Sequence, residues 1–144
     1  MTKCAFCTNP EVKARTIIKN DLAFAFPTYI PITPGHILIC PVRCVSKINE
    51  LSQEELLAIF DLEKKLNLAL AKAFNTDGFN YAWNEGESAG QAVPHFHLHM
   101  VPRKEGDIGI YQYDPRKFLY RPGSREKTPE GELKQIVSLI QDFL

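Results

Sequence analysis

The stretch HFHLHMV, from His95 to Val101, puts a histidine at every second position and an apolar residue in each gap. That alternation suits a strand. Successive strand side chains point to opposite faces, and residues two apart lie roughly 6.6 Å apart on the same face. The stretch therefore predicts a strand from His95 to Val101, closed by Pro102. It turns Phe96, Leu98 and Met100 toward a core and His95, His97 and His99 away from it. Three explanations of the imidazole face compete. A solvated face accounts for alternating polar residues but not for histidine at each of them. A catalytic metal site is open, because imidazoles at alternate strand positions can share one ion. Such a hydrolase also wants a carboxylate nearby, and none lies in the strand. In the third explanation one imidazole attacks as a nucleophile while its neighbours hold oxyanions.

The rest of the chain describes an ordinary globular domain. Its 144 residues suffice for one sizeable core without covalent staples. Basic and acidic residues balance at 17 each, so net charge suggests neither nucleic acid, nor an anionic membrane, nor an acidic partner. The N-terminal stretch MTKCAFCTNPEVKAR has no apolar segment of signal-peptide length, and no run approaches a membrane span; the expected location is the cytoplasm. In a reducing compartment Cys4, Cys7, Cys40 and Cys44 are metal ligands or simple thiols rather than two disulfides.

Element patterns point to an α+β domain. ARTIIKNDLAFAFPTY predicts two short strands around a turn at Asn20-Asp21, TPGHILICPV a turn and a buried strand over 37–42, and Phe79 to Trp83 a fourth strand. A long helix is expected from about Ser52 to Phe74. Ser52 and Glu55 make a capping-box pattern, and Leu56, Ile59, Leu62, Leu66 and Leu70 recur at helical spacing. Thr128 as cap and Pro129 at the first helical position open a C-terminal helix with apolar positions at Leu133, Ile136, Val137, Ile140 and Leu144. Five short strands and two segregated helices predict a largely antiparallel sheet.

The signature His-φ-His-φ-His-φ-φ, together with PITPGHILICPVR (Pro31 to Arg43) and NEGESAGQAVPHFHLHMVPRKEGD (Asn84 to Asp107), resembles the histidine triad (HIT) superfamily of nucleotide hydrolases and transferases. The likeness runs from about residue 4 to 107 of a single domain, with 108–144 as a C-terminal extension carrying a helix. It implies a HIT-like fold and attack at the α-phosphate of a nucleotide derivative. His97 would be the nucleophile, forming a covalent nucleotidyl-imidazole that water then hydrolyses. His99 and His36 would contact phosphoryl oxygens, and Asn84 and Gln91 would hydrogen-bond ribose-phosphate or leaving-group atoms. The chain departs from many relatives at two positions. Ala92 stands where they carry Ser or Thr, leaving only its backbone N–H for that role. Thr28 stands where they carry Asp or Asn beside the ribose hydroxyls.

The resemblance also implies structural zinc on Cys4, Cys7, Cys44 and His95, with Cys40 as plain core; the competing view keeps Cys44 an ordinary thiol and the loop metal-free. It implies a homodimer that continues the sheet across subunits, a nucleotide or dinucleotide as the partner molecule, and a divalent cation as an aid to polyphosphate substrates. Within the family, AGQAVPHFHLHMVPRKEGD is similar to the dinucleoside polyphosphate hydrolases, the fragile histidine triad group, with nucleoside phosphoramidases as the alternative. From another class, a nucleotide-binding adaptor with little turnover would keep nucleotide binding without His97. The basic segment DPRKFLYRPGSREK, holding Arg116, Lys117, Arg121, Arg125 and Lys127, is a solvated connection or a contact for additional phosphates.

Overall fold

A computed structural model of the chain describes residues 4–107 and 127–144. Two short helices open it, α1 (Ala5–Thr8) and α2 (Pro10–Ala14). Strands β1 (Ile18–Lys19), β2 (Ala23–Pro27) and β3 (Ile37–Pro41) follow, then α3 (Gln53–Ala73), β4 (Gly78–Ala82), β5 (Leu98–Arg103) and α4 (Glu130–Gln141). The strands form one sheet in the order β1-β2-β3-β5-β4, with every neighbouring pair antiparallel. This is the expected α+β architecture. Among the described residues no helix is long and apolar enough to cross a membrane.

The sheet is apolar on both faces, because helices cover one and the N-terminal segment covers part of the other. On one face Ala23, Ala25, Ile37, Ile39, Leu98 and Met100 pack with Ile59, Leu62, Leu66, Ala69 and Leu70 of α3 and with Val137 and Ile140 of α4. On the other, Phe26, Leu38 and Cys40 cluster with Val12 of α2, and Phe6 and Phe24 lie against them. Cys40 is buried, as its apolar surroundings predict.

Local chemistry sets the element ends. Ser52 Oγ accepts from Glu55 N (3.1 Å) and Glu55 Oε1 accepts from Ser52 N (2.9 Å), so the capping box forms as expected. Asn75, at φ 50°, takes the left-handed position after α3. Gly35 (φ 89°) is required where it stands, since a Cβ there would lie 2.7 Å from the Phe74 ring.

Four elements differ from the sequence expectation. The fifth strand begins at Leu98 rather than His95, and Pro102 lies inside it. Upstream of Leu98 the chain meets the end of β3 at Pro41, which has no N–H to pair, and Phe96 N donates instead to Val45 O (2.6 Å). The C-terminal helix begins at Glu130, with Pro129 as its cap, because Thr128 N donates to Tyr29 O (2.6 Å) and so belongs to the approach. Finally, α1 and α2 were not expected, although Asn9-Pro10 is a cap and first-turn pair: Asn9 Oδ1 accepts from Glu11 N (2.9 Å).

Glu55 also receives hydrogen bonds from Arg43 Nε (3.2 Å) and Nη2 (2.7 Å). The Arg43 guanidinium holds its carboxyl at about 2, below the ordinary 4.5, against the opposing effect of burial. A depressed carboxylate stabilises the fold above its unfolded pKa and loses that contribution as pH falls through its folded one. The urea midpoint should therefore fall between pH 4.5 and about 2. The fall should be shallower in Glu55→Gln, and equal slopes for the two proteins would contradict this assignment.

Candidate functional site

Four histidines occur in the chain, and all of them lie around β5. His99 is carried by the strand itself, opposite Leu38 of β3 and Ala82 of β4. His97 stands one step before the strand, with ring centroids 5.0 Å apart between the two imidazoles. His97 Nδ1–H donates to the carbonyl of His95 at 2.7 Å. This assigns the proton to Nδ1 and leaves the lone pair on Nε2. Burial lowers the His97 pKa and favours the neutral ring.

His36 is buried, and the turn before it is locked by Thr33 Oγ1–H donating to Pro102 O (2.8 Å). Its Nδ1 accepts from Ile32 N (3.0 Å), so its proton lies on Nε2, which is 3.0 Å from His99 Nδ1. His99 accepts there and carries its own proton on Nε2. The relay Ile32 N–H to His36 to His99 thus fixes His99 as a donor. It places His36 behind His99 rather than on the cavity wall, unlike the phosphoryl contact expected for it.

His97 and His99 line a cavity of about 520 Å³, within the range of small-molecule sites. Thr28, Asn84 and Ala92 line it too. Thr28 Oγ1 accepts from Ile30 N (3.3 Å), and Asn84 Nδ2 donates to Gly90 O (3.3 Å), closing the loop between β4 and His95. Gln91 does not line the cavity. Its Oε1 accepts from Gly86 N (2.8 Å) and its Nε2 donates to Ser46 O (2.9 Å), so both ends of the amide serve the loop.

His95 faces away from this cavity and toward the cysteines. Its Nε2–H donates to Pro41 O (2.7 Å), leaving Nδ1 with a lone pair 3.3 Å from Cys4 Sγ and 3.5 Å from Cys7 Sγ. Ligand atoms of Cys4, Cys7, Cys44 and His95 all lie within 4.8 Å of one another. Three thiols and a neutral imidazole, its far nitrogen tied to a carbonyl, are the donor set and support of a closed tetrahedral metal site. Burial first, then Cys4, raise Cys7 against the lowering effect of Cys44 and Lys13, and burial first, then Cys4 and Cys7, push Cys44 up to about 12. Thiols so placed hold protons that a bound cation would displace. The residues fit a metal.

Several cavity residues carried no signal in sequence. Phe6, between the paired cysteines, lines the wall, and its ring meets His97 edge-on at 5.1 Å. Arg15 is almost fully buried, donating from Nε to Pro27 O (2.9 Å) and from Nη1 to Glu130 Oε1 (2.5 Å). That ion pair joins α2 to the start of α4 at the cavity rim. Lys127 lies 5.9 Å over the Tyr29 ring, and both line the cavity. The other basic residues of that segment, Arg116, Lys117, Arg121 and Arg125, lie outside the described residues.

The HIT domain family matches residues 9–106, and the chain belongs to that family. Bis(5'-adenosyl)-triphosphatase of Dictyostelium discoideum is 32% identical over 112 residues, spanning 78% of this chain and 72% of the relative. An uncharacterized HIT-like protein of Mycoplasma genitalium is 37% identical over 139 residues, 95% of this chain and 93% of its own length. Among solved structures, diadenosine triphosphate hydrolase of Plasmodium falciparum, in complex with cyclomarin A, matches with a TM-score of 0.73. It is 27% identical and covers 91% of this chain and 76% of that one.

Proposed function

We propose that the protein is a nucleotide hydrolase acting at an α-phosphate, with dinucleoside polyphosphates as its substrate class. The observation that carries this reading is the His95–His97 hydrogen bond, which leaves a neutral Nε2 nucleophile beside a donor imidazole on a cavity of nucleotide size. His97 Nε2 attacks phosphorus, an N–P bond forms, and the P–O bond to the leaving phosphate breaks with its electron pair. His99 Nε2–H stabilises charge on the phosphoryl oxygens as it develops. Water then attacks the phosphorus, the P–N bond breaks and the nucleoside monophosphate leaves. In this reading Asn84 and Thr28, both on the cavity wall, orient the ribose and phosphate.

Ala92 supports the choice of substrate class. A polyphosphate departs as an anion and needs no proton, whereas an amine departing from a phosphoramidate does. With no hydroxyl at position 92 to pass that proton, polyphosphate leaving groups are favoured. The dinucleoside triphosphatase relative has a name consistent with this choice.

Zinc on Cys4, Cys7, Cys44 and His95 belongs to the same reading as a structural ion. When bound it holds the N-terminal segment against His95 and takes no part in the reaction. A homodimer is also part of it. Among the described residues β4 ends the sheet with one edge unpaired, and Tyr81 and Trp83 beside it are each 42% exposed. Leu57, Phe60 and Leu68 of α3 are exposed as well. The cytoplasm is the proposed location.

The first test is turnover of diadenosine tri- and tetraphosphate and adenosine phosphoramidate by wild type and His97→Ala. Wild type should release AMP fastest from a polyphosphate, and the variant should lose at least about a thousandfold while still binding AMP. Equal turnover would remove His97 as nucleophile, and AMP binding without turnover by wild type would favour the adaptor. Metal analysis should find about one zinc per chain, much reduced in Cys4→Ser. Stripping the ion should lower Tm by at least about 5 °C. Activity lost at once on chelation and restored by any divalent ion, without a change in Tm, would instead make the metal catalytic. Sedimentation at micromolar concentration should give a dimer mass; a monomer would reject the sheet-edge association.

A further inference from the structure

The cysteine pair and the cavity share one element. α1 (Ala5–Thr8) is a single turn with no buried residue and no side-chain cap. Its backbone hydrogen bonds are local: Cys7 and Thr8 N–H donate to Cys4 O, and Asn9 N–H to Ala5 O. A helix of this length does not persist by itself. Among the described residues two sets of contacts join it to the rest of the fold, the thiols meeting His95 and Cys44 and the Phe6 ring meeting Phe26, His95 and His97. On one side the Cys4 and Cys7 sulfurs approach His95 Nδ1 at 3.3 and 3.5 Å. On the other the Phe6 ring packs on Phe26 (centroids 5.2 Å) and on His97 (5.1 Å), forming part of the cavity wall.

From this arrangement we infer that Phe6 is a positioning residue that couples metal binding at Cys4 and Cys7 to nucleotide binding in the cavity. The inference rests on the nucleotide reading and the metal reading above. An ion that clamps both thiols orders the turn and so presents the Phe6 ring to the cavity and to His97. A nucleotide held against that ring orders the same turn and so presents both thiols to the ion. Each ligand meets part of the ordering cost of the other, so the two affinities rise together and by the same factor. A second connection runs through the His95 backbone to His97. That backbone is tied by Phe96 N donating to Val45 O (2.6 Å), beside Cys44, whereas Phe6 is carried on α1 itself and is the link that the turn adjusts.

The test is a chelator titration of the zinc-loaded protein, read as released zinc, with and without saturating AMP. In wild type AMP should raise the chelator midpoint about tenfold, within the usual range of such couplings. In Phe6→Ala, still loaded with zinc and still binding AMP at higher concentration, the shift should fall below twofold. Phe6→Leu keeps an apolar group in the wall without the ring, and serves if the alanine variant does not fold; its shift should also fall, to below about fivefold. A wild-type midpoint that AMP does not move, although AMP binds, overturns the coupling and leaves the nucleotide reading intact. A full shift retained in the folded Phe6 variants overturns the role of Phe6. Absence of AMP binding to loaded wild type overturns the nucleotide reading and the coupling with it.

Discussion

β5 and the residues leading into it must serve a packed core on one side and reactive groups on the other. The period of two makes this possible and also unforgiving. A register slip of one residue would put His99 into the α3 layer and Met100 into the cavity. The strand is held against this by both neighbours, with Leu38 and Ala82 flanking His99. It is held as well by Phe96, Leu98 and Met100, all buried among the side chains of α3 and its neighbours. Burying each of these side chains contributes roughly 1.5–3 kcal/mol. The reactive face is therefore placed by the core packing beneath it.

Within that frame the residue His95 divides two chemistries. Its ring points toward the cysteines, with Nε2–H tied to Pro41 O. Its carbonyl, in contrast, accepts the Nδ1 proton of His97. One residue therefore meets the thiol cluster through its side chain and orients the His97 ring through its backbone. His36 has a comparable indirect role, fixing the tautomer of His99 from a buried position. Of the four histidines only two face the cavity, and the other two set which nitrogen each of them offers.

The cavity is finished by parts distant in sequence. α1 and α2 form one wall, β2 and β3 contribute Phe26 and Leu38, Thr28 follows β2 onto the wall, and the residues entering α4 close the rim. The buried Arg15 links these parts through Pro27 and Glu130. An arginine in such a place is retained by its partners, since an unpaired buried charge is strongly destabilising. Arg15 and Glu130 lie at opposite ends of the chain, and the tie between them draws the C-terminal helix to the site.

What the sequence alone determined follows from local rules. The alternation at His97–Met100 set the two faces and the Ser52–Glu55 box began α3 where it begins, whereas the pairing of β3 with β5 brings His36 near the other histidines. The zinc ligand set came from resemblance, and the structure brings those four residues to one place. Only the tertiary structure decided the direction in which polar groups are used. His36 supports rather than touches, and Gln91 closes a loop rather than facing the cavity, because hydrogen-bond partners such as Ile32 N, Gly86 N and Ser46 O are supplied by the folded backbone. Neither Phe6 nor Arg15 carries a local sequence signal of what it does in the folded chain. Their roles depend on neighbours up to 115 positions away in the chain, and no spacing or period within a segment encodes a contact of that range.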